Sequence, residues 1–551
     1  MLRRPSIFRI CGTLLLLPCL AAGQGNNEPT FKAYSKLVQV SVIVKRSGKH
    51  VGRLSKDDFV LLENGKQQAI ATFEEFSSPA SLRQAKPAQD SAKTLPGSYT
   101  NASPGNAAIT VLVIDAINTG VLDQTYARQH LLKFLKETKF PAGQSVGLMV
   151  SARSGLKVIH HFTTDVSILT SALREAKTES SGAPSSFPST ATSEPASPLN
   201  QEVRALEAFA GRVDAPYGGE SEFQCEMAVR DTIRALRGLA QSLQGFPGRK
   251  TVLWTTAGFN FSCPDAIGIF AELSARAFRE LADANVSIYP VDARGLLAYD
   301  FMSAGSSMSG AQARNPGAYN RQKYSGWFNN FRNSVDSLKH TAEKTGGIAF
   351  FNTNDLSGAM VKARGDAGDY YVLGYYARQD LQKTEWRNIE VKSRLRGLDL
   401  RHRNGVYLVP AREGAKPDDL NLAQVSPLDF SALEFSVTWP AGTPPNHSEY
   451  ELGINPQELT LSPENQMSLD LLVVERTDSG EVQVRESKTI AGKIKDVPEF
   501  LSQRFRLAGR IEPVTPGRNI RFIVRDNLSE RMGSITVKAR PSLPPPSGAP
   551  R

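Results

Sequence analysis

Two aspartates occupy positions from which carboxylates could do acid–base chemistry. Asp115 ends the apolar run 109–114, and Asp292 ends the apolar run 286–291. A carboxyl with a raised pKa can act as a general acid beside a second carboxylate that acts as base, so the pair suggests a carboxylate-based hydrolase as one hypothesis. That hypothesis requires both groups in a common cleft, within catalytic reach of each other. The competing interpretation of Asp292 is a salt bridge with Arg294.

The other reactive residue types form no catalytic pattern. The seven histidines include no His-Glu-x-x-His zinc motif, and His160 and His161 are predicted to point to opposite faces of a strand. The chain has no Gly-x-Ser-x-Gly nucleophile elbow. The Gly/Ser run 305–310 lacks the lysine and the strand-to-helix setting of a phosphate loop, so we interpret it as a flexible loop. We therefore expect a protein that is not an enzyme and that needs no cofactor.

The N-terminal residues 1–23 have the pattern of a signal peptide. Three arginines precede a short apolar stretch, and small residues before Gln24 supply a cleavage site. A lipoprotein signal around Cys19 is the alternative, although proline precedes that cysteine. The apolar stretch is too short to span a bilayer, and no later stretch is long and apolar enough for a membrane span. We expect a secreted or periplasmic protein.

The net charge and the cysteines indicate which classes of partner and which cellular compartment to expect. The net charge of +10 is spread over 551 residues without a basic block that contains aromatic residues, so we do not expect nucleic-acid binding. The mature chain would keep two cysteines, Cys225 and Cys263, and an isolated pair in an exported protein predicts a disulfide. The predicted helix that begins near Cys225 runs antiparallel to strand 251–256, and Cys263 follows the end of that strand. Both thiols are therefore expected at one rim of the sheet.

Hydrophobic periodicity divides the chain into several units. Period-two alternation indicates β structure at both ends, and strand–helix alternation in the middle indicates a mostly parallel sheet covered on both faces. Strands 367–410 could pair with 34–77, which would leave the α/β domain inserted in a β unit. The predicted units are a signal peptide (1–23), an N-terminal β subdomain (34–77), a linker (78–107), an α/β domain (108–366) with inserts 178–221 and 293–329, β strands (367–410), a β-sandwich (430–540) and a disordered tail (541–551).

The insert 293–329 carries aromatic residues among Gly, Ser, Ala and Asn. Rigid aromatic side chains on an adaptable loop suit recognition, because they bring contact area at a low entropy cost. We expect a ligand surface that includes Tyr319, Tyr324 and Trp327. The alternative is that these aromatic residues fold back and pack against neighbouring helices.

Several phrases of the chain resemble the von Willebrand factor A family, and more narrowly its secreted relatives of the acidobacterial type. The phrases are 113–119, 162–165, 248–254, 288–296, 345–347 and 371–376, with 54–59 and 63–66 nearer the N-terminus. The resemblance covers roughly 34–410. It implies an α/β fold with a von Willebrand A-like doubly wound, mostly parallel sheet, inserted in or flanked by β domains, with a C-terminal β-sandwich.

The resemblance also implies a position for a divalent ion. Many von Willebrand A domains bind one at the carboxyl end of the sheet, and the matching ligands are Asp115 and Thr119, with Asn118 and Thr256 as further candidates. The family's second carboxylate is absent, because the matching phrase reads Thr256-Ala257-Gly258. One carboxylate supplies too little charge for tight Mg²⁺ or Ca²⁺ binding. We expect a degenerate site that binds Mg²⁺ or Ca²⁺ weakly or not at all.

These features favour a binding protein. Ligands of open α/β sheets bind outside the carboxyl ends of the strands, where both inserts emerge. The leading hypothesis is an exported adhesion or scaffolding protein whose partner is another protein or an envelope polymer. The alternatives are the carboxylate-based hydrolase and a purely structural assembly subunit.

Overall fold

The computed structural model shows a β-rich chain of several units with mostly antiparallel sheets. Described are residues 35–77, 98–102, 108–138, 140, 144–153, 155–176, 218–259, 261, 267–296, 316–378, 381–409, 417–439, 449–477, 481–511, 515 and 518–537. The signal-peptide prediction, the proposed tail 541–551, most of the insert 178–221 and Cys263 lie outside these residues.

The described strands form five sheets. The strands are β1 (Ser35–Arg46), β2 (Lys49–His50), β3 (Phe59–Glu63), β4 (Lys66–Gln68), β5 (Thr72–Phe76), β6 (Ser98–Thr100), β7 (Ile109–Asp115), β8 (Ser145–Ala152), β9 (Gly155–Thr163), β10 (Lys250–Thr256), β11 (Val286–Asp292), β12 (Tyr370–Arg378), β13 (Glu385–Ser393), β14 (Asp399–Arg401), β15 (Gly405–Leu408), β16 (Phe435–Thr438), β17 (Glu449–Ile454), β18 (Gln466–Arg476), β19 (Val482–Lys493), β20 (Phe505–Arg510), β21 (Asn519–Asp526) and β22 (Met532–Val537). The helices are α1 (Val121–Glu137), α2 (Val166–Glu175), α3 (Gly218–Leu243), α4 (Ile267–Asp283), α5 (Pro316–Thr345), α6 (Leu356–Arg364), α7 (Pro417–Val425) and α8 (Val497–Ser502).

The first unit combines strands from two distant segments of the chain. β1 pairs antiparallel with β12, and β3 pairs antiparallel with β13, so residues 35–76 and 370–408 share two sheets. Between β3 and β4, Asn64 and Gly65 have φ angles of 48° and 78°, the left-handed conformation that an Asn-Gly hairpin turn requires. The inward side chains of both sheets, such as Val40, Leu61 and Leu373, form one core.

The second unit lies between those two segments and contains a five-stranded sheet in the order β11-β10-β7-β8-β9. All neighbouring strands are parallel except β8 and β9, which form an antiparallel hairpin. Every residue of β7, β10 and β11 is buried, because helices cover both faces of the sheet. One face packs against α3, α4 and α5, and the other against α1, α2 and α6.

The third unit consists of two four-stranded antiparallel sheets, in the orders β20-β17-β16-β6 and β19-β18-β21-β22. Their inner side chains, including Val437, Leu452 and Phe522, form a common core. Strand β6 belongs to this unit, because Ser98–Thr100 pairs with β16. The interpretation of residues 78–107 as a linker is therefore wrong for this short segment. The next residue, Asn101, contacts the same unit through its side chain. Its Nδ2 donates to the Phe430 and Leu433 carbonyls, and its Oδ1 accepts from the backbone amide of Phe435.

A second correction concerns the insert 293–329. It was expected to be irregular up to residue 329, but α5 begins at Pro316, so its last part is helical. Proline suits the first position of a helix, where its missing N–H would have no partner in any case. The glycines and asparagines of this segment disfavour a helix locally. Helix formation is cooperative, so the helix that is buried after residue 330 extends back through them to Pro316.

Candidate functional site: the carboxyl rim of the parallel sheet

Four polar side chains form a row across the carboxyl ends of the parallel strands. The strand register places Asp292 beside Thr256 and Asp115 beside Ser151, and Thr256 donates a hydrogen bond to Asp115. Trp254, two positions before Thr256, and the residues at an even spacing before the other three pack against the α3 side of the sheet, so all four point to that face. All four are completely buried. We call Asp292, Thr256, Asp115 and Ser151 the polar row.

Asp115 lies within hydrogen-bond distance of five donor groups, of which the Thr256 hydroxyl shares its single hydrogen with the Gly258 carbonyl. Its Oδ1 accepts from the backbone amides of Ile117 at 3.0 Å and Asn118 at 3.1 Å. Its Oδ2 accepts from Asn118 Nδ2 at 2.9 Å, Trp254 Nε1 at 3.2 Å and Thr256 Oγ1 at 2.8 Å. Burial raises the pKa of Asp115, and the bonds from Asn118, Thr256 and Trp254 counteract that rise. The carboxylate is therefore part of the internal framework of the sheet end.

Further hydrogen bonds tie the rim loops to each other and to α3. Asn118 Nδ2 also donates to Thr232 Oγ1 on α3 at 3.0 Å. Thr119 Oγ1 accepts from the Ala257 amide at 3.1 Å, which joins the loop after β7 to the loop after β10. The structure thus brings Asp115, Asn118 and Thr256 into direct contact, and it engages Thr119 with the backbone at Ala257.

Asp292 forms the salt bridge with Arg294 that the sequence suggested. Arg294 donates to both carboxylate oxygens, from Nε at 2.9 Å and from Nη2 at 2.8 Å. The same guanidinium donates to Ser334 on α5 at 2.7 Å. Thr256 separates Asp292 from Asp115 in the polar row. The two carboxylates therefore have separate partners and no exposure to solvent, which gives the hydrolase hypothesis no support from this geometry.

The rim residues do not fit a tightly bound divalent ion. Asp115 is the single carboxylate of the candidate ligand set, and hydrogen-bond donors of the chain already occupy both of its oxygens. Among the described residues, Asn118 Oδ1 and Ser151 Oγ are buried without a hydrogen-bond partner, but both are neutral oxygens. No group of three or more His, Cys, Asp or Glu side chains in the described ranges could hold a metal.

Sequence reasoning missed three contributors to the rim, namely Trp254, Ser151 and Thr232. Trp254 could have been found, because it lies two residues before Thr256 in one strand and therefore shares its face. Ser151 could have been found from the parallel pairing of β8 with β7. Thr232 had no local signal, because its contact with Asn118 depends on how α3 packs.

The predicted disulfide and aromatic surface are only partly within the described residues. Cys225 lies on α3 and is disulfide-bonded. Because Cys263 is not described, its pairing with Cys225 stays a prediction. Tyr319, Tyr324 and Trp327 lie on helix α5 and not on a loop, and their side chains are outside the description.

Two helices of the same face extend well beyond the polar row. Ser334 of α5 contacts the rim through Arg294, and Thr232 of α3 contacts it through Asn118. At a rise of about 1.5 Å per residue, the backbone of α5 continues for about 27 Å from Ser334 back to Pro316. The same rise carries α3 about 21 Å from Thr232 back to Gly218. Both helix N-termini therefore project past the carboxyl rim.

Comparisons with known proteins leave the family open. No protein-family model matches the chain, and no curated protein matches it. A similar solved structure is the N-terminal domain of TFIIH p34, at 10% identity and a TM-score of 0.21, covering 47% of this chain and 97% of that one. Another comprises three N-terminal domains of the type V pili tip protein Mfa5 from Porphyromonas gingivalis, at 8% identity and a TM-score of 0.18, covering 87% and 77%. These TM-scores are too low to support an inference about fold or function.

A search for membrane spans gave no candidate. None of the helices in the described part of the chain combines the length and the apolar character that a bilayer crossing requires.

Proposed function

We propose that the protein is an exported binding protein of the adhesion or scaffolding type, whose α/β unit is a von Willebrand A-like domain with a degenerate metal position. Its recognition surface lies where α3 and α5 extend beyond the polar row. The main support for this proposal is that both helices project from the same rim of the sheet. Hydrogen bonds within the chain hold that rim in place. A fixed rim with projecting helices presents a surface without needing a catalytic centre.

The chemistry of the rim favours binding over catalysis. A general acid–base pair needs access to substrate, whereas Asp115 and Asp292 are completely buried and bonded to protein donors. The helix segment 316–330 brings aromatic residues to the projecting end instead. Tyr324 and Trp327 are three residues apart and therefore share one helix face. Aromatic residues are enriched in the energetic centres of protein interfaces.

The binding experiment uses the mature chain from Gln24, immobilised and exposed to an envelope extract and, separately, to purified envelope polymer. Retained material is quantified by mass spectrometry for the wild type, Trp327→Ala and Tyr324→Ala. Arg332→Ala is the matched control on the same helix, because Arg332 is largely exposed, with 71% side-chain exposure. We expect roughly tenfold weaker retention by the aromatic variants, the scale of a 1.4 kcal/mol contact, and unchanged retention by the control.

Melting temperatures separate the two interpretations of the aromatic residues. If Trp327 packs inside the protein, Trp327→Ala should destabilise it by about 3 kcal/mol or more. If it belongs to a recognition surface, the melting temperature should stay near the wild-type value while retention falls. Wild-type retention by both aromatic variants would exclude this surface.

Export is tested by the N-terminus of the protein recovered from the producing cell. A mature chain that starts at Gln24 supports the cleaved signal peptide, whereas a lipid-modified Cys19 at the N-terminus supports the lipoprotein alternative.

A further inference from the structure

We infer that the N–H groups of Trp254 and Asn118 take the place of a cation beside the Asp115 carboxylate. The rim therefore keeps its arrangement without divalent ions. This inference rests on the proposed function in one respect, namely that the rim supports the recognition surface. It adds that recognition is independent of the supply of Mg²⁺ or Ca²⁺.

The number of donors around Asp115 is the first argument. An ionised carboxylate offers about four lone-pair positions for hydrogen bonds. Asp115 faces four N–H donors from three residues and the Thr256 hydroxyl, whose single hydrogen is shared with the Gly258 carbonyl. Three of them converge on Oδ2, from Asn118, Trp254 and Thr256. Mg²⁺ requires oxygen ligands in near-octahedral geometry and in direct contact with the ion. The hydrogens of the indole and the amide occupy that space, and their partial positive charge repels a cation.

The distribution of charge along the polar row is the second argument. The other carboxylate of the row, Asp292, is paired with Arg294, so its charge is already compensated inside the protein. Asn118 Oδ1 and Ser151 Oγ have no hydrogen-bond partner among the described residues, yet they add no negative charge. A hard cation would thus meet one carboxylate that is fully bonded and two neutral oxygens.

The location of Trp254 is the third argument. Its ring is completely buried and packs against Phe259 at 5.7 Å between centroids, within the core under α3 and α4. Because the ring is fixed by this packing, its N–H points permanently at Asp115. Asn118 transmits the constraint to α3 through Thr232. The donors that replace the ion are therefore parts of the core and cannot dissociate as an ion does.

The experiment measures thermal unfolding of the mature chain after treatment with chelator, with and without millimolar MgCl₂ or CaCl₂. We expect the wild type to melt at the same temperature in all conditions. Trp254→Phe keeps a six-membered aromatic ring but removes the N–H together with the pyrrole part of the indole, and should lower the melting temperature by several degrees. Trp386→Phe is the matched control for the lost ring area, because its indole N–H donates to the exposed Asn388 while its ring packs against Lys344 and Tyr407, and it should lower the melting temperature less than Trp254→Phe does.

Two outcomes would overturn the inference. One is a wild-type melting temperature that rises by several degrees with either ion and loses that response in Asp115→Asn. The other is a Trp254→Phe protein whose melting temperature falls no further than that of Trp386→Phe. Should Trp254→Phe fail to fold, Asn118→Ser removes the second donor and is measured in the same way. Because no ligand is present in these measurements, their result is independent of whether the binding experiment finds a partner.

Discussion

Lys250 provides a quantitative test of the packing at the opposite end of the parallel sheet. It is the first residue of β10, is 2% exposed, and its Nζ donates to the Ala284 carbonyl at 2.9 Å. Burial lowers the pKa of Lys250 from 10.5 to about 7, because the charged ammonium loses its hydration. The folded protein therefore releases this proton at a much lower pH than the unfolded chain does.

The sign and size of the effect follow from proton linkage. Between pH 7 and pH 10.5 the unfolded chain binds a proton that the folded protein has lost, so the free energy of unfolding rises with pH in this window. The slope is about 1.4 kcal/mol per pH unit, which adds up to about 5 kcal/mol over the window. Well below pH 7 both states are protonated and the full cost of burying the charge remains. Lys250→Met removes this cost but leaves the Ala284 carbonyl without its partner, which costs about 1–3 kcal/mol.

We therefore expect Lys250→Met to be more stable than the wild type by about 2–4 kcal/mol at neutral pH. The difference should shrink as pH rises above 7, reach zero between about pH 8.5 and pH 10, and be reversed at pH 10.5, because the unpartnered carbonyl remains. The assay is urea unfolding from pH 6 to pH 10, combined with hydrogen exchange of peptides from β10, which reports the opening of this sheet. Lys392→Met is the control, because Lys392 is 58% exposed on its side chain. A difference between Lys250→Met and wild type that does not vary with pH would refute the reasoning.

Three further predictions concern other parts of the molecule. Burial lowers the pKa of His402, which accepts a backbone hydrogen bond through Nε2, so stability should fall as pH drops below 6.5, where the unfolded chain gains a proton. Urea midpoints should show less of this loss in His402→Gln, and an equal loss in both proteins would contradict the assignment. Asp419→Ala should cost about 3–5 kcal/mol, because it removes the carboxylate paired with the buried Arg525 and one of the two carboxylates paired with Arg237. A loss as small as that of the exposed-site control Asp336→Ala would argue against it. Non-reducing peptide mapping should find Cys225 linked to Cys263, and two free thiols would exclude the bridge.

The elements with strong local signals were predicted close to their observed positions. The apolar run 109–114 that ends at Asp115 is strand β7, and the run 251–256 is β10 with one residue added. Both strands are buried on two faces, and continuous apolar runs are the sequence signature of that environment. Strand β6 had no such signal. Its three residues pair with β16 across hundreds of intervening residues, and neither composition nor periodicity reports a contact of that kind.

The sequence allowed us to predict which strand ends meet at the candidate site. It did not allow us to predict the side-chain contacts made there by the packed core. The ends of parallel strands meet at one edge of a sheet, so the proximity of Asp115 and Thr256 followed from the sequence pattern and the family resemblance. The salt bridge of Asp292 with Arg294 is confirmed by two close hydrogen bonds. The bond from the Trp254 indole depends on a side-chain rotamer that only the packed core selects. For that reason the sequence did not predict that the Trp254 indole donates to Asp115.

Helix α3 connects the rim to the C-terminal sandwich. Near the rim, Thr232 accepts the hydrogen bond from Asn118. One turn and a half further, Arg237 pairs with Asp419 of α7 at 2.6 Å, and Arg525 of the sandwich contacts the same carboxylate at 3.3 Å. A helix is stiff over this distance, and each of these contacts is buried, so a displacement of α3 at the rim would have to break the ion pairs at Asp419. The arrangement therefore fixes the orientation of α3 relative to the sandwich.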